Sequence, residues 1–261
     1  MTASESTFLT SAARRGRPLA RFSGLSLDAL DVYATAFFWA RALNGSVAAA
    51  EDGRLRVDSA RGRPENELLW VVPTDEPRHV KTRVHLDLRL DSDRPEELLA
   101  AGAQVLREPG AEPGDPWFVL ADPEGNAFCA FPRVDERPPG IFQIVVDSRD
   151  GHAQAAWWAA LIGGEPRAEG PTGLLTDAPG LPWDDMVFDP VPEPKRVKNR
   201  LHWHVELLHI DPEGLIRAGA TLLRRPKPRS SWWVLADPEG NEFCASGPAS
   251  GPDARGIIRQ R

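Results

Sequence analysis

The chain has 261 residues, a net charge of −7 at neutral pH, 41% hydrophobic residues and 26% charged residues. This is the balance of a globular protein, and its acidity excludes the basic face that a nucleic-acid partner requires. No apolar run reaches the roughly 18 residues of a membrane-spanning helix, so no membrane role is expected.

Residues 1–19 read as a polar, flexible tail. Arg14 and Arg15 are not followed by the apolar stretch of an export signal, so a cytoplasmic protein is expected. Cys129 and Cys244 are therefore expected to stay reduced. RFSGLSLDALD reads as a strand, and DVYATAFFWARAL as a helix with Asp31 at its start and Asn44-Gly45 at its end. Short strands follow, among them ELLWVVP around Trp70. The pattern then restarts with the strand RVHLDLRL, the helix RPEELLAAG, the strands QVLRE and WFVLAD, the turn PEGN and the strand AFCAFP. RVDERPPG, at 133–140, combines charge, paired prolines and glycine as a linker does.

From about residue 20, the motifs before that linker recur after it. ADPEGNAFCA, from Ala121, and ADPEGNEFCA, from Ala236, differ at one position. LLAAGAQVLREP matches LIRAGATLLRRP, EPRHVKTRVH matches EPKRVKNRLH, and FWARALNG resembles WWAALIGG. The offset of about 115 to 119 positions is too long for a solenoid repeat and fits duplication of a whole domain. The expected division is a tail at 1–19, domains at 20–135 and 140–247, and a tail at 248–261. Each domain holds strand–helix–strands twice. The repeated DPEGN explains itself as a turn: proline presets φ, glycine takes a positive φ, and the Asp and Asn side chains bond the backbone.

Alternation assigns the faces of the strands. Side chains two apart share a side. Val84, Leu86, Leu88 and Leu90 oppose His85, Asp87 and Arg89; Leu201, Trp203, Val205 and Leu207 oppose His202, His204 and Glu206. Phe142, Ile144 and Val146 likewise oppose Gln143, Val145 and Asp147. The apolar set must pack under helices. The expected object is a curved sheet with helices on its outer face and a partly polar concave side.

These residues together resemble the vicinal oxygen chelate superfamily in its glyoxalase-like, bleomycin-resistance-like branch. The resemblance rests on the βαβββ order, the AFFWARALNG and AAWWAALIGG helices, KTRVHLDL and KNRLHWHVEL, and LADPEGNxFCA. It covers roughly residues 20–247. It implies an α+β fold of two glyoxalase-like domains, with paired βαβββ modules forming eight-stranded mixed sheets. Which modules pair, within a copy or between copies, is left open. It also implies where metal-using members place their ligands: on the first strand, on the second module's first strand, and on the last strand after the turn. Gly24 or Gln143, His85 or His202, and Cys129 or Cys244 stand at those positions, and the customary last-strand glutamate is missing.

The candidate ligand-binding residues are His85, Asp87, Trp117, Cys129, Gln143, His202, His204, Glu206, Trp232 and Cys244. The bland reading makes His85 and His202 hydrogen-bonded sheet residues and the cysteines small pocket walls. The sharper one makes Gln143, His202, His204, Glu206 and Cys244 ligands to a divalent Zn, Ni, Mn or Fe. Trp117 and Trp232 would line a cleft for a flat or apolar ligand. Lys81, Arg83, Lys198 and Arg200 either form ion pairs or bind an anion. The expected function is binding of a small hydrophobic or aromatic molecule without a full metal site and with no cofactor. A metal-dependent lyase, isomerase or extradiol-type dioxygenase acting from the second domain is the alternative, and a non-catalytic interaction module a third. The assembly is expected to be a monomer with an internal pseudo-dimer, or a homodimer.

Overall fold

The computed structural model describes residues 17–64, 66–111, 114–227 and 231–248. Most of both expected tails lies outside the described residues. Leu19 is described: its N–H donates to the Leu161 carbonyl, and its carbonyl accepts from the Leu208 N–H.

The first repeat contains β1 (Ala20–Ala29), α1 (Val32–Ala42), β2 (Ser46–Ala49), β3 (Leu55–Asp58) and β4 (Leu68–Pro73), then β5 (Val84–Arg89), α2 (Glu96–Ala100), β6 (Gln104–Arg107), β7 (Phe118–Ala121) and β8 (Ala127–Phe131). The second contains β9 (Gly140–Ser148), α3 (Gly151–Ile162), β10 (Glu165–Glu169), β11 (Thr172–Thr176) and β12 (Asp185–Pro190), then β13 (Leu201–Leu207), α4 (Glu213–Arg217), β14 (Thr221–Arg224), β15 (Trp232–Ala236) and β16 (Glu242–Ser246). This is βαβββ four times.

The modules pair across the repeats. One eight-stranded sheet runs β14-β15-β16-β13-β1-β4-β3-β2, joining the fourth module to the first. The other runs β10-β11-β12-β9-β5-β8-β7-β6, joining the third to the second. Both seams are antiparallel, β1 with β13 and β5 with β9. Neither sheet is built from one repeat.

The helices and turns connect the other way, within each repeat. Trp39 of α1 packs 5.3 Å from Phe128 of β8, and Trp158 of α3 packs 5.2 Å from Trp203 of β13. One continuous core therefore runs between the apolar faces of both sheets. The DPEGN turns lock this contact. Asp122 Oδ1 accepts from the Glu124 and Asn126 N–H groups, and Asp122 Oδ2 accepts from Trp39 Nε1. Glu124 accepts from the N–H of Asp31, whose own side chain caps α1. The second repeat reproduces this: Asp237 accepts from Glu239 and Asn241, and Glu239 accepts from the Arg149 and Asp150 N–H groups ahead of α3.

Alternation holds along β5 and β13. Leu86 and Leu88 are 1% exposed, as are Trp203 and Val205, and all four belong to the core. It fails at the start of β9. The register runs from Asp87 opposite Gln143 to Leu88 opposite Ile141, so Phe142 is the extra residue of a bulge. Ile141 takes the core place expected for Phe142. The Phe142 ring instead lies edge-on to Phe131 and under Arg89. β1 carries the matching shift between Phe22 and Gly24.

Replacing Asp122 or Asp237 with alanine strips several buried donors of their acceptor. Each substitution is expected to lower unfolding stability by about 2–3 kcal/mol in urea titrations. A loss below about 0.5 kcal/mol would contradict this role.

Candidate functional site

The exchanged pairing decides which polar residues meet. In the β1/β13 sheet, Gly24 stands opposite His204, Ser26 opposite His202, and Cys244 beside His204. One ligand atom from each of His202, His204 and Cys244 falls within 4.8 Å of the others. In the β5/β9 sheet, Gln143 stands opposite Asp87, and Cys129 lies beside Asp87 on the other side. His85, Asp87 and Cys129 form the second cluster under the same 4.8 Å limit. Each sheet thus carries two alternate residues of one strand and a cysteine of the next on its concave face.

The five-residue metal set expected from the sequence does not form as one group. Gln143 lies in the opposite sheet from His202, and its side-chain amide donates to Asp185 Oδ2 at 3.0 Å. Glu206 accepts from Arg21 at 2.8 Å and is not among the clustered ligands. The reason is the cross-repeat seam, which gives β13 the neighbour β1 and not β9.

Burial sets the charge of both floors. Desolvation lowers the His202 and His204 pKa values to about 3, with Lys198 acting further on His202, and His202 and Arg54 on His204. Both rings are neutral at pH 7. They stack at 5.7 Å, and Ser26 Oγ lies 2.7 Å from His204 Nε2. His202 Nδ1 is buried without a hydrogen-bond partner. Burial pushes the Cys244 thiol up to about 12. In the other floor, desolvation lowers His85 to about 4, and Asp147 and Asp189 work against it. Desolvation raises Asp87 to about 7, although a hydrogen bond from Cys129 pulls it back. Burial and the Asp87 charge push the Cys129 thiol upward. His85 Nε2 sits 3.5 Å from Asp87 Oδ1, which has no hydrogen-bond partner among the described residues, so the hydrogen bond expected between these two side chains does not form.

Rings wall both floors. Trp117 stacks on Phe131 at 4.9 Å, and Phe131 meets Phe142 at 5.0 Å. In the other sheet the Arg54 guanidinium lies 4.6 Å from the Trp70 ring and 5.0 Å from that of Trp232. Trp70 belongs to the first module and Trp232 to the fourth, so Arg54 bridges the two. The sequence reading missed Ser26, Arg54 and Trp70. Ser26 was readable from the alternation in RFSGLSLDALD, but nothing local marks Arg54, which sits in a hairpin turn.

The repeated basic residues have structural partners. Lys81 pairs with Asp147 at 2.8 Å, Lys198 with Asp28, and Arg200 with Glu124 at 2.5 Å. Arg83 donates to the Glu193 and Asp147 carbonyls. These residues border a cavity of about 660 Å³ between segments 74–84 and 193–200.

The His202–His204–Cys244 set fits a metal ion. It offers two neutral imidazoles, one with an unmet ring nitrogen, and a thiol that would release its proton on binding. His85–Asp87–Cys129 offers a harder set with one carboxylate.

A family model described as Glyoxalase-like domain matches residues 24–131 and 143–246. No curated protein matches the chain. Among solved structures, glyoxalase I from Zea mays aligns with a TM-score of 0.63 at 15% identity, over 87% of this chain and 92% of its own. A mutant form of that enzyme gives 0.64 at 14% identity, over 87% and 94%. A protein from Bacillus subtilis subsp. subtilis str. 168, named as a candidate dioxygenase, gives 0.63 at 11%, over 90% and 87%. At such identities the likeness establishes the fold alone. Among the described residues no helix is long and apolar enough to cross a membrane.

The raised Asp87 carboxyl has a signed consequence. Between the ordinary value near 4 and about 7, the folded chain holds a proton there that the unfolded chain has released, so rising pH costs stability. Asp87→Asn removes that cost. Relative to the parent, the variant should gain stability, on the order of a few kcal/mol, as pH rises through that window. Parallel stability curves from pH 4 to 8 would contradict the assignment.

Proposed function

Because the chain belongs to the glyoxalase-like domain family, we propose that it binds a small hydrophobic or aromatic molecule on the concave face of each sheet. The observation that carries this reading is the pairing of a desolvated polar floor with aromatic walls. In one sheet the floor is His202, His204 and Cys244, and the walls are Trp70 and Trp232. In the other the floor is His85, Asp87 and Cys129, and the walls are Trp117, Phe131 and Phe142. A flat ligand gains from covering the rings. A neutral imidazole can donate to or accept from a ligand hydroxyl or carbonyl, and His202 Nδ1 would thereby acquire its missing partner. Each floor is complete within one chain, so neither cup needs a second copy.

The closeness of His202, His204 and Cys244 favours a second reading, a metal-dependent lyase, isomerase or dioxygenase acting at that floor. His202, His204 and Cys244 would hold the ion, which would polarise a bound oxygen as a Lewis acid. Ser26 would orient His204 through its ring nitrogen. A reducing cytoplasm suits the free cysteines of both floors.

Two measurements separate these readings. A flat aromatic fragment that quenches tryptophan fluorescence should bind about tenfold more weakly after Trp70→Ala or Trp232→Ala; unaltered affinity in both would contradict the proposal. For the metal, protein equilibrated with Zn, Mn, Ni or Fe(II) and then desalted should retain one equivalent that His202→Ala and Cys244→Ser abolish. Retention below a tenth of an equivalent for every ion would reject the second reading.

A further inference from the structure

Each concave face also carries an arginine stacked on an aromatic ring. Arg54 lies between Trp70 and Trp232, near enough for its charge to act on both His204 and Cys244. Arg89 lies 4.1 Å over the Phe142 ring, on the same strand face as His85 and Asp87. The two arginines are not counterparts in the duplication: Arg54 precedes β3, Arg89 ends β5, and the second repeat has Glu206 where the first has Arg89. The same arrangement therefore arose at different positions and was not inherited with the repeat.

Both arginines are held by acidic side chains at the rim. Arg54 Nε donates to Asp52 Oδ2 at 2.7 Å, and Arg89 donates to Asp184 Oδ2 at 2.5 Å. The Asp52 and Asp184 side chains are 47% and 53% exposed, whereas the arginine side chains are 21% and 13% exposed. Exposed partners of this kind contribute little and exchange readily. A planar guanidinium placed over a ring presents a donor fork that matches a carboxylate bidentately. Below Arg54 lie neutral imidazoles and a protonated thiol that do not repel an anion; below Arg89 the floor includes Asp87, whose carboxyl is raised to about 7 and favours an anion more as pH falls.

We propose that the ligand of both cups is a planar organic anion, an aromatic carboxylate that replaces Asp52 on Arg54 or Asp184 on Arg89 while its ring covers the floor. This rests on the reading of the concave faces as ligand sites and adds the charge of the ligand to it. Arg54 and Arg89 then determine specificity, and the aspartates hold them in place until the ligand arrives.

The test compares 2-naphthoate with its neutral analogue 2-naphthamide by isothermal titration of the full chain at pH 7 and low salt. The expected result is naphthoate binding at least about tenfold more tightly. Arg54→Met with Arg89→Met should abolish that preference, and Arg54→Lys with Arg89→Lys should retain part of it. Equal affinities of the two probes for the parent protein overturn the anion anchor and leave the ligand sites standing. Naphthoate affinity unchanged in a folded methionine variant also overturns the anchor. Failure of both probes to bind at millimolar concentration overturns the anchor and the ligand sites together. Should the methionine variant not fold, the ratio measured on the parent and on the lysine variant still decides.

Discussion

The antiparallel seams between β1 and β13 and between β5 and β9 are the constraint on which the rest of the structure depends. A single βαβββ module has too few strands to curve around a ligand, and its first strand exposes an unpaired edge. Pairing first strands solves both problems at once. It satisfies the edge hydrogen bonds and brings two modules into one concave surface. The polar residues of β5 and β13 alternate outward from the core, so the seam also sets which of them meet across each cup.

Two sets of connections cross in this chain. Strands join modules from different repeats, while helices and DPEGN turns join modules of the same repeat. Trp39, Asp122 and Glu124 form one such tie, and Trp158, Asp237 and Glu239 the other. Each module is thereby held to one neighbour through its strand edge and to another through its apolar face. The repeated turn, which looks chemically inert in the sequence, ends up capping helices and anchoring a buried tryptophan. The residues of the two clusters, His202, His204 and Cys244 and His85, Asp87 and Cys129, are not part of these ties.

Much of this was legible in the sequence. Period-two alternation in RVHLDLRL and RLHWHVEL placed the leucines and Trp203 in the core and the histidines opposite them. Asp31 as a helix cap and glycine as the turn residue follow from local backbone chemistry. The pairing of modules was not legible, because four similar modules offer similar edges and the choice is made by long-range packing. That uncertainty is what grouped Gln143 with His202, two residues that belong to different sheets. The bulge at Phe142 was hidden for a related reason. An inserted strand residue leaves no local signature, yet it exchanges the faces of Ile141 and Phe142. Arg54 reaches its place between two tryptophans from a turn whose sequence shows only turn chemistry.

The central claim is that the concave faces, and not the wider cavity between segments 74–84 and 193–200, are where this protein meets its ligand. Crystals soaked with a library of small aromatic fragments test it directly. The account predicts fragment density clustered over His202 and His204 or over His85 and Asp87, against the neighbouring rings. Density confined to the cavity between the two segments, with both concave faces empty across the library, would contradict it.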